Sequence, residues 1–159
     1  MERFIFDLDG TLLFGNFEKE RQYFKEQLGE KADSFLEKLI PSLMEYEELF
    51  QKYDQELLAR FLTTKSGVLI TKDNIDDWID INSNMDDEVE ESAIEVLEYL
   101  KSKNKSIVVL TNWFAKTQIK RLENSNLLSY IDEVYAGDVY LKPNPASYLN
   151  AKGSFNNIS

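Results

Sequence analysis

The chain has 159 residues, 29 acidic and 18 basic, for a formal net charge of −11. So acidic a surface repels the phosphate backbone, and nucleic acid is not expected as a partner. Neither cysteine nor histidine is present, which excludes disulfides, thiolate nucleophiles and imidazole chemistry and leaves acid–base work to carboxylates, Lys or Tyr.

The N-terminus turns acidic before any apolar segment of signal-peptide length, and no apolar run is long enough to span a membrane. The expectation is a cytoplasmic protein with no membrane partner. Phe4-Ile5-Phe6 is apolar at every position and ends in Asp7-Leu8-Asp9-Gly10-Thr11. This pattern predicts a strand buried on both faces, as in a parallel sheet. From about Asn16 to Asn84 the spacing becomes helical. Phe17, Phe24 and Leu28 mark one helix. Leu43, Tyr46, Phe50, Tyr53, Leu57 and Phe61 mark a second, with Pro41 in its first turn. Ile75, Trp78 and Ile79 mark a third, with Asp73 as its N-cap. Gly67–Thr71 reads as a short extended link. These aromatic residues are expected to be core.

Val89, Ala93, Val96, Leu97 and Leu100 form a further helical stripe. The acids Asp86, Asp87, Glu88, Glu90 and Glu91 read as its solvated start. Ile107-Val108-Val109-Leu110 is a second buried strand, ending at Thr111-Asn112. Ala115, Ile119 and Leu122 mark the next helix, and Val134-Tyr135-Ala136 a third strand. Lys142-Pro143-Asn144-Pro145 then precedes a helix from Ala146 to Ala151. Strands alternating with helices predict right-handed crossovers and a parallel sheet.

Asp7 and Asp9 lie two positions apart, so their side chains share one side of the first strand's end. Ligands of open parallel sheets bind beyond the carboxyl ends of the strands. Thr111 and Lys142 follow the second and third strands at that edge. A carboxylate can attack phosphorus, and a second can move the proton. A hydroxyl, an ammonium and helix-start N–H groups can hold phosphoryl oxygens. Asp-x-Asp-Gly also occurs in turns and calcium loops, but no further loop acids follow it here.

Asp7-Leu8-Asp9-Gly10-Thr11-Leu12-Leu13, Val108-Val109-Leu110-Thr111-Asn112 and Lys142-Pro143-Asn144-Pro145 resemble, in order, the first three motifs of the haloacid dehalogenase-like hydrolases. The resemblance implies an α/β fold: a Rossmann-like parallel-sheet core, residues 1–15 and 85–159, with an inserted helical cap, residues 16–84. It implies Asp7 as nucleophile and Asp9 as acid–base. Thr111, Asn112 and Lys142 would bind phosphate. Magnesium would sit on the Asp7 side chain and the Asp9 carbonyl. True dehalogenases of the family lack the second Asp, so Asp9 favours a phosphatase acting on a small phosphorylated metabolite. A phosphomutase and a catalytically silent phosphate-binding module are the alternatives. The family's fourth motif, a strand ending in Gly-Asp and another acid, should follow the helix near Pro145, but Gly153–Ser159 holds no acid. Gly137-Asp138 precedes Lys142 and does not qualify. Without that strand the chain reads as truncated, with the first strand on an exposed edge and self-association through it expected.

Overall fold

The computed structural model describes residues 1–159. In chain order the elements are β1 (Glu2–Phe6), β2 (Leu13–Phe14), α1 (Glu18–Leu28), α2 (Ala32–Leu49), α3 (Gln55–Ser66), α4 (Lys72–Asn82), β3 (Glu88–Val89), α5 (Ala93–Ser102), β4 (Ser106–Leu110), α6 (Ala115–Asn124), β5 (Glu133–Tyr135), α7 (Pro145–Lys152) and β6 (Asn157–Ile158). Short 3-10 turns cover Gly29–Lys31 and Leu128–Tyr130. The main sheet is parallel, in the order β5-β4-β1-β6. This is an α/β fold on a parallel sheet, as the strand–helix alternation predicts.

The inner strand β4 is buried along its whole length and apolar from Ile107 to Leu110. β1 differs from expectation. Phe4, Ile5 and Phe6 are only half-buried, whereas Arg3 is 5% exposed. Arg3 survives there because its guanidinium is shared out. It donates to Ser106 Oγ at 3.1 Å, to the Tyr135 hydroxyl at 3.2 Å and to the Ala151 carbonyl at 2.8 Å, and it lies 4.3 Å from the Phe155 ring centroid. One cation thus ties β1 to β4, β5 and α7.

The open edge expected on β1 is also corrected. β6 pairs with it at Glu2–Asn157 and Arg3–Ile158, and Ile5 donates its N–H to the Ser159 carbonyl. The self-association reading rested on that edge, of which β6 covers the stretch from Glu2 to Ile5.

β2 and β3 form an antiparallel ribbon that sets the two chain crossings side by side, Leu13 against Val89 and Phe14 against Glu88. Between them, α1–α4 enclose their own core around Phe24, Phe35, Tyr46, Leu58 and Trp78. Phe114 and Leu141 from the sheet side join this cluster. The 50–54 loop is hydrogen-bonded to the sheet side as well, Tyr53 N–H to the Gly137 carbonyl and Leu141 N–H to the Gln51 carbonyl.

The helical segment departs from the sequence reading in three places. The stripe from Leu43 to Phe61 is two helices, because Phe50 turns extended and Asp54 caps α3 by accepting from the Leu57 N–H at 3.0 Å. Pro41 lies inside α2 and not in its first turn. Both Pro41 and Glu37 are exposed, so water can satisfy the carbonyl that loses its donor. The N-cap of α4 is Thr71, two residues before Asp73, and Thr71 forms a capping box with Asn74. Thr71→Ala is expected to cost about 1 kcal/mol, read as a lower urea midpoint at unchanged slope. An unchanged midpoint would mean that the box adds nothing.

Candidate active site

β1 and β4 run in register with Phe6 beside Val109, so Asp7 and Thr111 emerge together at the carboxyl edge of the sheet. β5 pairs with β4 up to Leu110–Tyr135, and the loop after it returns Lys142 to the same edge. Lys142 Nζ lies 3.0 Å from Asp7 Oδ1 and donates to the Leu110 carbonyl at 3.1 Å. The Asp7 and Asp9 side chains are 48% and 47% exposed, open to a ligand.

Asn112 is placed differently. Its Oδ1 accepts from the Lys142 N–H at 2.7 Å, and its Nδ2 donates to the Lys142 carbonyl at 3.0 Å and to Glu47 Oε1 at 2.6 Å. The side chain is saturated and braces the Lys142 loop against α2. A close backbone approach completes the brace. A Cβ on Gly137 would stand 2.6 Å from the Asn112 carbonyl oxygen, so only glycine fits there. Asp138, in the Gly-Asp pair beside it, accepts from the Ala115 N–H at 3.2 Å and so serves the start of α6.

The buried face of α6 is polar. Thr117, Gln118 and Arg121 are buried with Leu122, whereas Ile119, expected inside, is 37% exposed. Gln118 Nε2 donates to Thr111 Oγ1 at 2.8 Å and to Asp9 Oδ2 at 3.1 Å. Arg121 Nη2 lies 2.7 Å from Asp9 Oδ1 and 2.8 Å from Asp87 Oδ1, and Nε also donates to Asp87. Burial opposes the Arg121 charge, but Asp87 and Asp9 outweigh it and raise its pKa further. The Asp87 side chain is 3% exposed. This corrects the reading of residues 86–91 as a solvated helix start. Glu88 and Val89 form β3, and Asp87 is a buried anchor.

The cleft above these groups has a volume of 540 Å³. From the sheet side it is lined by Asp7, Asp9, Thr111, Asn112, Arg121 and Lys142, and from the helical side by Glu20, Glu47, Tyr53, Trp78 and Asn82 with apolar neighbours. Glu20 Oε1 accepts from Trp78 Nε1 and, at 3.0 Å, from Asn82 Nδ2. Burial raises the Glu20 pKa, partly offset by those two donors. Tyr53 donates to Glu47 Oε2 at 2.5 Å, and burial with the nearby Glu47 charge raises the Tyr53 pKa. Trp113 also lines the cleft, and its Nε1 is buried without a partner. Arg121, Gln118, Glu20 and Glu47 escaped the sequence reading, and Asp87 was misplaced in it.

A model of the haloacid dehalogenase-like hydrolase family matches residues 1–157. No curated protein matches the chain. Solved structures share its fold at low identity. L-2-haloacid dehalogenase from Xanthobacter autotrophicus is 19% identical with a TM-score of 0.64, over 94% of this chain and 63% of that one. YfnB from Bacillus subtilis, a structure bound to magnesium, is 18% identical with a TM-score of 0.63, over 94% of this chain and 70% of that one. A HAD phosphatase from Thermococcus onnurineus is 20% identical with a TM-score of 0.59, over 94% and 69%. The chain thus spans less than two thirds of the length of the first.

Proposed function

Since this chain belongs to the haloacid dehalogenase-like hydrolases, we propose that its cleft hydrolyses a small phosphomonoester through an aspartyl-phosphate on Asp7, with magnesium as cofactor. The observation that carries the reading is the convergence of Asp7, Asp9, Thr111 and Lys142 at one sheet edge, with Lys142 Nζ 3.0 Å from Asp7 Oδ1. Asp9 weighs against the dehalogenase chemistry of some structural neighbours, because hydrolysis of a phosphomonoester needs a proton donor for the leaving oxygen.

An Asp7 carboxylate oxygen attacks phosphorus while the bond to the leaving oxygen breaks and Asp9 gives that oxygen its proton. Water then attacks the phosphorus of the aspartyl-phosphate, Asp9 takes its proton, and phosphate leaves with Asp7 restored. The Thr111 hydroxyl accepts from Gln118, so its own proton is free for a phosphoryl oxygen. Lys142 uses two of its three protons on Asp7 and the Leu110 carbonyl and keeps one for the phosphoryl group. The Asn112 backbone N–H has no acceptor in the protein and lies beside Thr111, which gives Asn112 a part in phosphate binding through its main chain.

The donors present suit magnesium. The Asp7 carboxylate is half exposed, and the Asp9 carbonyl accepts no hydrogen bond. No cluster of three acidic ligands exists, but magnesium takes one or two carboxylates and fills its octahedron with water and substrate oxygens. When bound it would neutralise charge on the phosphoryl oxygens. A positive ion also suits the local balance, since Asp7, Asp9, Glu20 and Glu47 face three cations, of which Arg21 and Arg121 are also paired with Glu18 and Asp87.

The test is hydrolysis of p-nitrophenyl phosphate with and without a chelator. The expected result is turnover that the chelator abolishes and added magnesium restores. Turnover indifferent to the chelator, or phosphate binding with no turnover, would overturn the reading, the second outcome in favour of a silent binding module.

A further inference from the structure

Glu20 and Glu47 are the two carboxylates that α1 and α2 present to the cleft, and neither forms an ion pair in the protein, although the Arg21 charge acts on Glu20 from a distance. All other polar contacts of Glu20 are neutral donors on one oxygen, Oε1, which leaves Oε2 free. The cations lining the cleft are committed elsewhere. Arg121 is held by Asp9 and Asp87, Lys142 by Asp7, and Arg21 by Glu18 at 2.8 Å on the exposed surface. Drawing a carboxylate out of water without a counter-ion is costly, and Glu20 and Glu47, both partly buried, share one cavity.

Aromatic rings stand beside these acids in the same wall. Trp113 packs 4.8 Å from Trp78 and 5.1 Å from Tyr53, centroid to centroid, and all three line the cleft. Tyr53 and Trp78 are closed off at 2% and 1% exposure, so the ring that can meet a ligand is the partly exposed Trp113, and an indole face attracts cations. Leu36, Leu39 and Leu43 complete the lining with apolar surface that fits a hydrocarbon stem. Carboxylates, an aromatic face and an apolar wall together repel a second anion and accept an ammonium.

We infer that the substrate is an alkyl phosphomonoester whose leaving group ends in an ammonium, seated between Glu20, Glu47 and the Trp113 ring. This rests on the phosphatase reading of the same cleft. Phosphorylated acids are disfavoured, because Glu20 and Glu47 repel their carboxylate and the one cation on the helical side, Arg21, is paired with Glu18. Burial of Glu20 reinforces the point, since a bound cation relieves the cost of its ionised form.

The experiment is calorimetric titration, in magnesium buffer, with three phosphonates that are not hydrolysed and differ at one end: 2-aminoethylphosphonate, 2-hydroxyethylphosphonate and phosphonoacetate. The amine should bind about tenfold or more tightly than the alcohol, with the acid weakest. Glu20→Gln keeps an acceptor for Trp78 and Asn82 but drops the charge, and should cut the amine-to-alcohol ratio to about threefold or less. Equal affinities, a preference for the acid, or a ratio unchanged in Glu20→Gln would overturn the inference. Turnover of p-nitrophenyl phosphate is measured on the same sample. Turnover without amine preference leaves the phosphatase reading standing and removes the inference. Amine preference without any turnover supports the ammonium site and removes the phosphatase reading.

Discussion

Asp7→Asn is expected to lower phosphomonoester hydrolysis by on the order of 10⁴-fold or more, the scale on which loss of a nucleophile acts. The fold should barely register the change. Asp7 is 48% exposed, and its ion pair with Lys142 is open to solvent on the Asp7 side, so the stability difference should stay within about 1 kcal/mol. The asparagine still accepts from the Leu8 N–H, as Asp7 Oδ1 does at 2.8 Å. A variant that melts like the parent yet is inert places the loss in the chemistry. If Asp7→Asn keeps even a tenth of the activity, Asp7 is not the nucleophile.

Arg121→Met should act on stability and activity together. The guanidinium is 2% exposed on its side chain and neutralises Asp87, which is 3% exposed. Removing one partner of a buried pair leaves the other charged and dry, which costs about 3–5 kcal/mol. For a chain of this size that lowers the melting temperature by roughly 10 °C. The variant also removes one of the two side-chain anchors of Asp9, whose Oδ1 is fixed at 2.7 Å from Arg121 Nη2 while Gln118 holds Oδ2. A proton-transfer group that wanders loses rate, by about 10²-fold where it is misplaced by an ångström. A second substitution separates the two effects. Asp87→Leu added to Arg121→Met removes the stranded charge and should recover most of the stability, because apolar pairs replace buried ion pairs well. It should recover little activity, since Asp9 keeps only its Gln118 contact. Recovery of both would show that Arg121 acts only through the fold.

The parts of the site that could be read from the sequence are those encoded locally. Phe4-Ile5-Phe6 before Asp7, and Ile107–Leu110 before Thr111, are apolar runs that stop at polar residues, and a parallel sheet brings such stops to one edge. Lys142 follows the third strand for the same reason. The groups that hold these residues in place carry no local signal. Arg121 meets Asp87 across 34 positions and Asp9 across 112. Glu47 reaches Asn112 across 65. In sequence Arg121 is an ordinary basic residue near a helix end, and Asp87 one acid in a run. The β2–β3 ribbon, two residues on each side, and the hydrogen bonds from Thr117 and Asn124 to the end of α4 set Asp87 against α6. The misread helices have a similar origin. Steps of three and four continue from Leu43 to Phe61 across the break at 50–54, so periodicity alone cannot show it. Ile119 misled because the inner face of α6 is chosen by the charges it must meet, not by its apolar residues.

The covalent step is the centre of this account, and a rapid acid quench tests it most directly. Protein mixed with excess p-nitrophenyl phosphate and magnesium is quenched during turnover, digested, and the peptide containing Asp7 is weighed by mass spectrometry. The predicted result is a phosphoryl mass increment on Asp7 in the parent and none in Asp7→Asn. Steady hydrolysis by the parent, with the Asp7 peptide unmodified at every quench time and the increment on another residue, would contradict it.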